Sequence, residues 1–595
     1  MIRFKHIFLL SFFIFSGSAV LSQSSPDITV PELEKHVYYL ASDSLEGRKP
    51  GTAGGDEAAR YIRDAFISYG LELTGDNGFQ NFEVVTNVEP GKLNNFSFEE
   101  KQFEMGKDFM PMAISSNASV NADVVFAGFG FDIEEDSLNW NDYKNIDVAG
   151  KWVLVLRGDP EPDKDNSLFI SYADDRSKAL VARDKKVAGL ILVSGPQFGD
   201  DKLADAAFNR VTSDAGMPVI NITRAVADQI IKASGKTIDE IEKEIIAGKA
   251  PIAFDIKQTV SATTDMDRVK VTTVNVIGII PGSDPVLKNE YVVIGAHYDH
   301  LGFGGEGSGS RTPDTIAVHN GADDNASGTA AILELAQKLS YNKASLKRSI
   351  VVMAFGAEEM GLLGSQFFTS NTLVDLKNIE VMFNFDMVGR LNEKERGVMV
   401  AGTGTAVEFD TLLSVYEQNS TLVFNHSPEG YGASDHASFY ASGVPVLFFT
   451  TGAHPDYHTP ADDANKINYK GEKDILNYAY PIIVDFANSE DPLTYQEAEP
   501  KKQEGRGGRG LKVKLGIMPD FTATENNGLG VGGVTAEGPA AKAGMQKGDK
   551  IVAIDGMSVT NIYDYMDRLK KLKPGQTISV DVVRDREHKV LVVIL

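Results

Sequence analysis

The sequence predicts an α/β protein whose main domain is a mixed, mostly parallel sheet with helices on both faces. Three observations predict it. From about Val269 onward, β-branched apolar runs alternate with stretches of helical periodicity. The runs are predominantly apolar rather than alternating, the mark of strands buried on both faces. Residues able to ligate metal stand directly after three of those runs, where ligands gather in open α/β sheets.

The chain opens with M-I-R-F-K-H, an apolar run I-F-L-L-S-F-F-I-F of about nine residues, and small residues up to Ser22. Residues 1–22 therefore read as a secretory signal, too short for the roughly 20 apolar residues of a membrane span. No later stretch is long and apolar enough to span. With no cysteine in its 595 residues, the chain has neither a lipoprotein attachment site nor disulfides, and is expected in the periplasm or secreted. That length suggests three or four domains, each with its own core. The net charge of −25 becomes −27 once Arg3 and Lys5 leave with the signal, which disfavours nucleic acid or an anionic membrane as partner.

Residues 23–120 begin the main domain. Within 38–71, Ala58, Ile62, Ala65 and Phe66 make an apolar stripe at helical spacing, suited to packing on a sheet. Residues 121–262 read as an inserted β-rich module, with runs A-D-V-V-F-A-G-F-G-F, K-W-V-L-V-L-R-G-D-P and G-L-I-L-V-S-G-P, and a helical stretch S-K-A-L-V-A-R-D-K-K-V between the last two. The main domain resumes over 263–489, with strands expected at 271–280, 291–296, 349–355, 381–385 and 444–449 and helices at 326–340, 405–418 and 473–486. Residues 490–510, rich in charge, Pro and Gly, read as a linker to a tail domain, 511–595.

The chemistry sits at strand ends. After 291–296 comes H-Y-D-H (His297, Asp299, His300), after 349–355 comes G-A-E-E-M-G (Glu358, Glu359), and after 381–385 comes Asp386. The turn N-G-A-D-D-N-A-S-G places Asp323 and Asp324 side by side, two like charges that call for a cation. Each acid alone is explained by a helix start or an N-cap. Jointly they are not, and seven of the ten histidines fall between 297 and 458. A serine-nucleophile elbow, G-x-S-x-G, and a phosphate loop are both missing.

The blocks G-A-H-Y-D-H, N-G-A-D-D-N-A-S-G, A-F-G-A-E-E-M-G-L-L-G-S, N-F-D-M-V-G and Y-H-T-P resemble, in content and order, the co-catalytic zinc peptidase family of bacterial secreted leucyl-type aminopeptidases and glutamate carboxypeptidases. The resemblance implies a zinc exopeptidase fold and two zinc ions per chain. It implies that His297 and Asp386 hold one ion, Glu359 and His458 the other, and that Asp323 bridges them with Asp324 in support. Carboxylates and imidazoles suit zinc, and two ions lower the pKa of a shared water towards neutrality. Glu358 is then the general base, Asp299 the carboxylate that orients a ligand imidazole, and Tyr457 a donor to the oxyanion. Ser434, Asp435 and His436 resemble a supporting block of the same family. His300, His319, His426 and His454 read as loop or wall residues.

The 121–262 module resembles a protease-associated domain. The tail, by K-L-G-I-M-P-D-F and E-G-P-A-A-K-A-G-M-Q-K-G-D-K-I-V-A-I-D-G, resembles a PDZ domain whose Leu515–Gly516–Ile517 amides would receive a peptide C-terminus. The expected activity is hydrolysis of N-terminal residues from peptide substrates. A carboxypeptidase or dipeptidase of the same family is the alternative, since specificity lies in pocket walls. A single-zinc glutaminyl cyclase is disfavoured by the full bridging set. A peptide-binding scaffold that uses the PDZ and protease-associated domains without catalysis is the alternative of another kind.

Overall fold

The computed structural model describes residues 27–135, 138–164, 167–204, 214–418, 420–498, 513–520, 527–535 and 538–595. The expected signal lies outside them. Among the described residues no helix is long and apolar enough to cross a membrane.

The main domain is a nine-stranded mixed sheet. Its centre is parallel: Ser349–Phe355, Tyr291–His297, Ile379–Phe385 and Val446–Thr450 lie side by side in that order. Antiparallel neighbours flank them, Met266–Ile280 on one side and Gly397–Ala401 on the other. Alternate side chains leave opposite faces of each strand. Val292, Ile294 and Ala296 join Ile350, Val352, Val381 and Phe383 in one core, against helices Val30–Leu40, Ala53–Ser68, Gly328–Tyr341 and Tyr469–Asn488. Val293, Val351 and Met353 face the other way, against Phe368 and Phe439. Helices therefore cover both faces.

The helix starts are written locally. Thr29 caps Val30–Leu40 through the Glu32 amide with proline in the first turn, and Thr52 caps Ala53–Ser68 through the Gly55 amide. The expected stripe is inside: Ala58, Ile62 and Phe66 are buried, and Ala65 packs against them.

The inserted module is an eight-stranded sheet of its own, and it begins earlier than residue 121. Strands Asn95–Phe98 and Phe109–Pro111 pair with Ala253–Thr264 and Val219–Ile222. The module thus runs from about Asn95 to Thr264. These leading strands have three or four residues each, too few to show a period, and their pairing partners lie more than a hundred residues on.

The tail is a separate sheet over its own core of Leu515, Leu529, Ile551, Val580 and Val582. The segment expected as linker is anchored in its first half: Thr494 donates to Glu408 at 3.0 Å, Gln496 to the Thr405 carbonyl at 3.0 Å, and Leu493 packs on the main core. The tail also touches the inserted module. Helix Ile562–Lys570 lies against helix Asp175–Asp184, with Arg568 bidentate on Asp184 at 2.7 and 2.8 Å and Arg183 on Asp564 at 2.8 Å.

Candidate active site

Three adjacent parallel strands deliver their C-terminal ends to one point. His297 closes Tyr291–His297, Glu358 and Glu359 come after Ser349–Phe355, and Asp386 comes after Ile379–Phe385. Parallel register sends all three ends to the same edge, so residues far apart in sequence become neighbours.

The turn at 322–327 supplies the centre. Asp324 Oδ1 lies 3.4 Å from His297 Nε2, and that nitrogen lies 3.4 Å from Asp386 Oδ1. The other oxygen, Asp324 Oδ2, lies 3.1 Å from His458 Nε2, which lies 3.2 Å from Glu359 Oε1. One carboxylate oxygen thus faces each group, the disposition of a bridge. Asp324, rather than the expected Asp323, stands there.

The backbone decides between the two aspartates. Asp324 (φ −107°, ψ 92°) and Asn325 (φ −133°, ψ 46°) interrupt the helical turn, so the two side chains take different directions. Asp323 accepts from the Gly389 amide at 2.7 Å and from Ser327 at 3.1 Å, and faces His454 at 3.3 Å. Asp462 accepts the amides of both Asp323 and Asp324 at 2.9 and 3.1 Å and holds the turn in place.

The residues fit a metal. Asp386 Oδ1 is buried without a hydrogen bond. Two ligands about 2.0–2.1 Å from a tetrahedral zinc are about 3.3 Å apart, close to the 3.1–3.4 Å spacings here. His297, Asp324 and Asp386 form one group able to hold an ion, and His300, Asp324 and Glu359 another. His458 joins the second.

The imidazoles are oriented from behind. His458 Nδ1 sits 3.0 Å from the Gly309 carbonyl, which leaves Nε2 for the site. His297 Nδ1 lies 3.2 Å from the backbone carbonyl of Asp299 and 3.8 Å from its carboxylate. The Asp299 carboxylate is occupied with the amides of Glu358 and Glu359 at 2.9 and 3.4 Å. Its role thus shifts from orienting an imidazole to holding the loop that carries the acids.

Glu358 Oε2 stands 3.8 Å from His297 Nε2. Burial pushes its carboxyl well above the usual range against the pull of His297, with Asp386 and Asp435 adding to the rise. Tyr457 stacks its ring on His458, centroids 3.9 Å apart. Burial and the nearby Asp324 and Glu359 raise its phenol, so it stays a neutral donor. In the supporting block, Ser434 accepts from Asn384 at 2.7 Å. Burial raises Asp435 to about 7, and the buried His436, held to about 3, stacks on Phe448 at 4.4 Å.

Two residues were not legible as functional. His300, expected in a wall, lies inside the second group. Arg48 is buried and donates to four carbonyls: Leu40 at 2.5 Å, Tyr298 at 2.7 Å, Asn320 at 2.7 Å and Gly321 at 2.9 Å. It ties the His297 and Asp324 segments together, whereas the stretch 38–71 around it, which resembles the N-terminal segment of the same zinc peptidase family, reads as a packing element rather than as part of the chemistry. Of the other histidines, His319 bonds Ser310 at 2.8 Å and His426 faces Glu417 at 2.7 Å on the surface.

Residues 275–482, which hold all these site residues except Arg48, match the model of peptidase family M28. The chain carries an M28 peptidase domain. Residues 513–595 match a PDZ domain, and the inserted module lies outside both matches. Aminopeptidase YwaD of Bacillus subtilis strain 168 is 25% identical over 465 residues, 75% of this chain and 83% of that protein. Leupeptin-inactivating enzyme 1 of Streptomyces exfoliatus is 31% identical over 196 residues, 33% of this chain and 39% of that protein. A probable leucine aminopeptidase of Arthroderma otae is 29% identical over 207 residues, 33% of this chain and 52% of that protein. The chain thus spans about half or less of the last two. Among solved structures, the zinc aminopeptidase BSAP of Bacillus subtilis is similar with a TM-score of 0.45 at 22% identity, covering 76% of this chain and 95% of that one.

Proposed function

We propose that this chain is an exported metallo-aminopeptidase that uses two zinc ions to hydrolyse N-terminal residues from peptides. The observation that supports it most is Asp324, with one oxygen towards His297 and Asp386 and the other towards His458 and Glu359. In this reading His297, Asp386 and Asp324 hold one ion, and Glu359, His458 and Asp324 the other. Two zinc ions there would polarise a scissile carbonyl and acidify a water.

Glu358 takes the proton of the attacking water and returns it to the leaving amine, from its place 3.8 Å from His297 Nε2. Tyr457 donates to the developing oxyanion. A cavity of about 410 Å³ lined by Pro50, Val271, Leu301 and Met360 together with Lys49, Asn87 and Glu306 opens beside His300 and Glu359. The leader at residues 1–22 exports the chain. In the tail, strand Ile517–Asp520 lies at the end of its sheet, and a peptide C-terminus adds beside it with its carboxylate at Leu515–Gly516–Ile517.

The test is mass spectrometry of one peptide and its N-acetylated twin after incubation with zinc-loaded protein, with and without chelator. Stepwise loss from the free N-terminus alone, stopped by chelator, is the expected result. Loss from the C-terminus of both peptides would make the enzyme a carboxypeptidase instead.

A further inference from the structure

We propose that His300 is itself a ligand of the second ion position, which then has four protein donors, Asp324, Glu359, His458 and His300, against three at the first. This deepens the metal reading above and rests on it.

Three observations carry the inference. First, the His300 side chain is completely buried, and neither ring nitrogen makes a hydrogen bond. A buried imidazole left unsatisfied costs about 1–3 kcal/mol, so it calls for a partner that the protein itself does not supply. Second, Nδ1 lies 2.8 Å from Glu359 Oε1, yet the ring is not turned to donate to it, and the same nitrogen lies 3.7 Å from Asp324 Oδ2. A close approach without hydrogen-bond alignment is what two donors to one ion make. The two spacings bracket the roughly 3.3 Å ligand-to-ligand edge of a tetrahedral zinc.

Third, the His300 and His458 rings lie edge to face with centroids 5.7 Å apart, as two imidazoles converging on one point would be. The position is also built for the ring. Gly321 lies in the left-handed region at φ +54°, and a Cβ there would come within 2.5 Å of the His300 ring. The Arg48 guanidinium that holds the Gly321 and Tyr298 carbonyls fixes both sides of this slot.

The consequence is asymmetry. The second position, closed by four protein donors, resembles a structural zinc site. The first, with three, keeps a place open for substrate or water. Metal should therefore enter in two steps, with the second position filling first and releasing last.

The experiment uses the full chain stripped by chelator and titrated with Co²⁺, followed by visible absorption and by bound-metal stoichiometry, in wild type, His300→Ala and His300→Gln. Wild type is expected to bind two equivalents, the first more tightly. His300→Ala should weaken that first equivalent by more than about 100-fold, beyond the 10–100-fold typical of an outer-shell partner, and change its absorption band. His300→Gln retains an N–H donor for Glu359 but is a poor zinc ligand, and should behave as His300→Ala does. Wild-type affinity and spectrum in His300→Gln would overturn the proposal in favour of a simple hydrogen bond to Glu359. Two equivalents bound alike in all three proteins would overturn it too, leaving the two-metal reading standing. No Co²⁺ uptake by wild type would overturn both. Matching circular dichroism of the stripped proteins controls for folding.

Discussion

The main domain and the inserted module share a plan and differ in the residues that stand just past their strands. Both have a parallel centre, Ser349–Phe355 to Val446–Thr450 in one and Ala118–Ala127, Trp152–Leu156, Gly189–Val193 and Val219–Ile222 in the other. In the module the charges near the strand ends are matched from within. Arg157, just past one strand, meets Asp175 at 2.8 Å. The buried Lys178 amine donates to the Leu156 and Gly158 carbonyls at 2.7 and 2.6 Å and lies over the Phe131 ring at 4.7 Å. In the main domain the strand ends carry Asp386 with an unbonded oxygen and His300 with two unbonded nitrogens. At these particular strand ends the module satisfies its own charges while the main domain leaves donors and acceptors that suit an ion.

The sharpest way to break this contrast is within one turn. Asp324→Asn is expected to abolish metal binding at both positions and to lower kcat/KM by roughly 10³-fold or more, while Asp323→Asn should keep both ions. Equal metal stoichiometry in the two variants, read by elemental analysis, would remove Asp324 from the bridging position. Next in size, Glu358→Gln should cost about 10²–10⁴ in kcat with both ions retained; a rate near wild type would remove Glu358 from proton transfer.

On the scaffold side, Lys178→Met should destabilise the inserted module by about 1–3 kcal/mol, since two carbonyls lose their donor, and leave turnover of a short peptide unchanged. Loss of metal from that variant would show that the module's strand ends reach the chemistry.

The smallest effect concerns Glu472, which is fully buried with neither carboxylate oxygen bonded. Burial holds its carboxyl well above the usual range, and Asp323 and Glu334 add to the rise. The folded state must therefore keep a proton that the unfolded chain gives up above about pH 4.3. Stability is lost as pH rises from there towards the folded pKa. Glu472→Gln should raise Tm at pH 8, by about 2–4 °C for each kcal/mol recovered, and leave it unchanged near pH 4.

Much of this architecture was legible because it is written in long apolar runs. The strands at 291–297, 349–355 and 379–385 are predominantly apolar segments, and the residues immediately after each can be read directly as its active end. The choice between Asp323 and Asp324 was not legible, because neighbours in sequence share every pattern and only the backbone angles at 324–325 separate them. His300 was hidden by the ordinary behaviour of single histidines. The module's first strands were hidden by length: Asn95–Phe98 is defined by pairing with Val260–Thr263, a relation that local pattern does not contain.

Arg48 gives the site an unusual dependence. One guanidinium collects carbonyls from residues 40, 298, 320 and 321, so the loops bearing the donors are held in place by a segment some 250 residues earlier in the chain. The arrangement of candidate metal donors thus depends on a contact from the amino-terminal segment. On the proposed two-ion reading, ion uptake would therefore report that the Arg48 segment has docked.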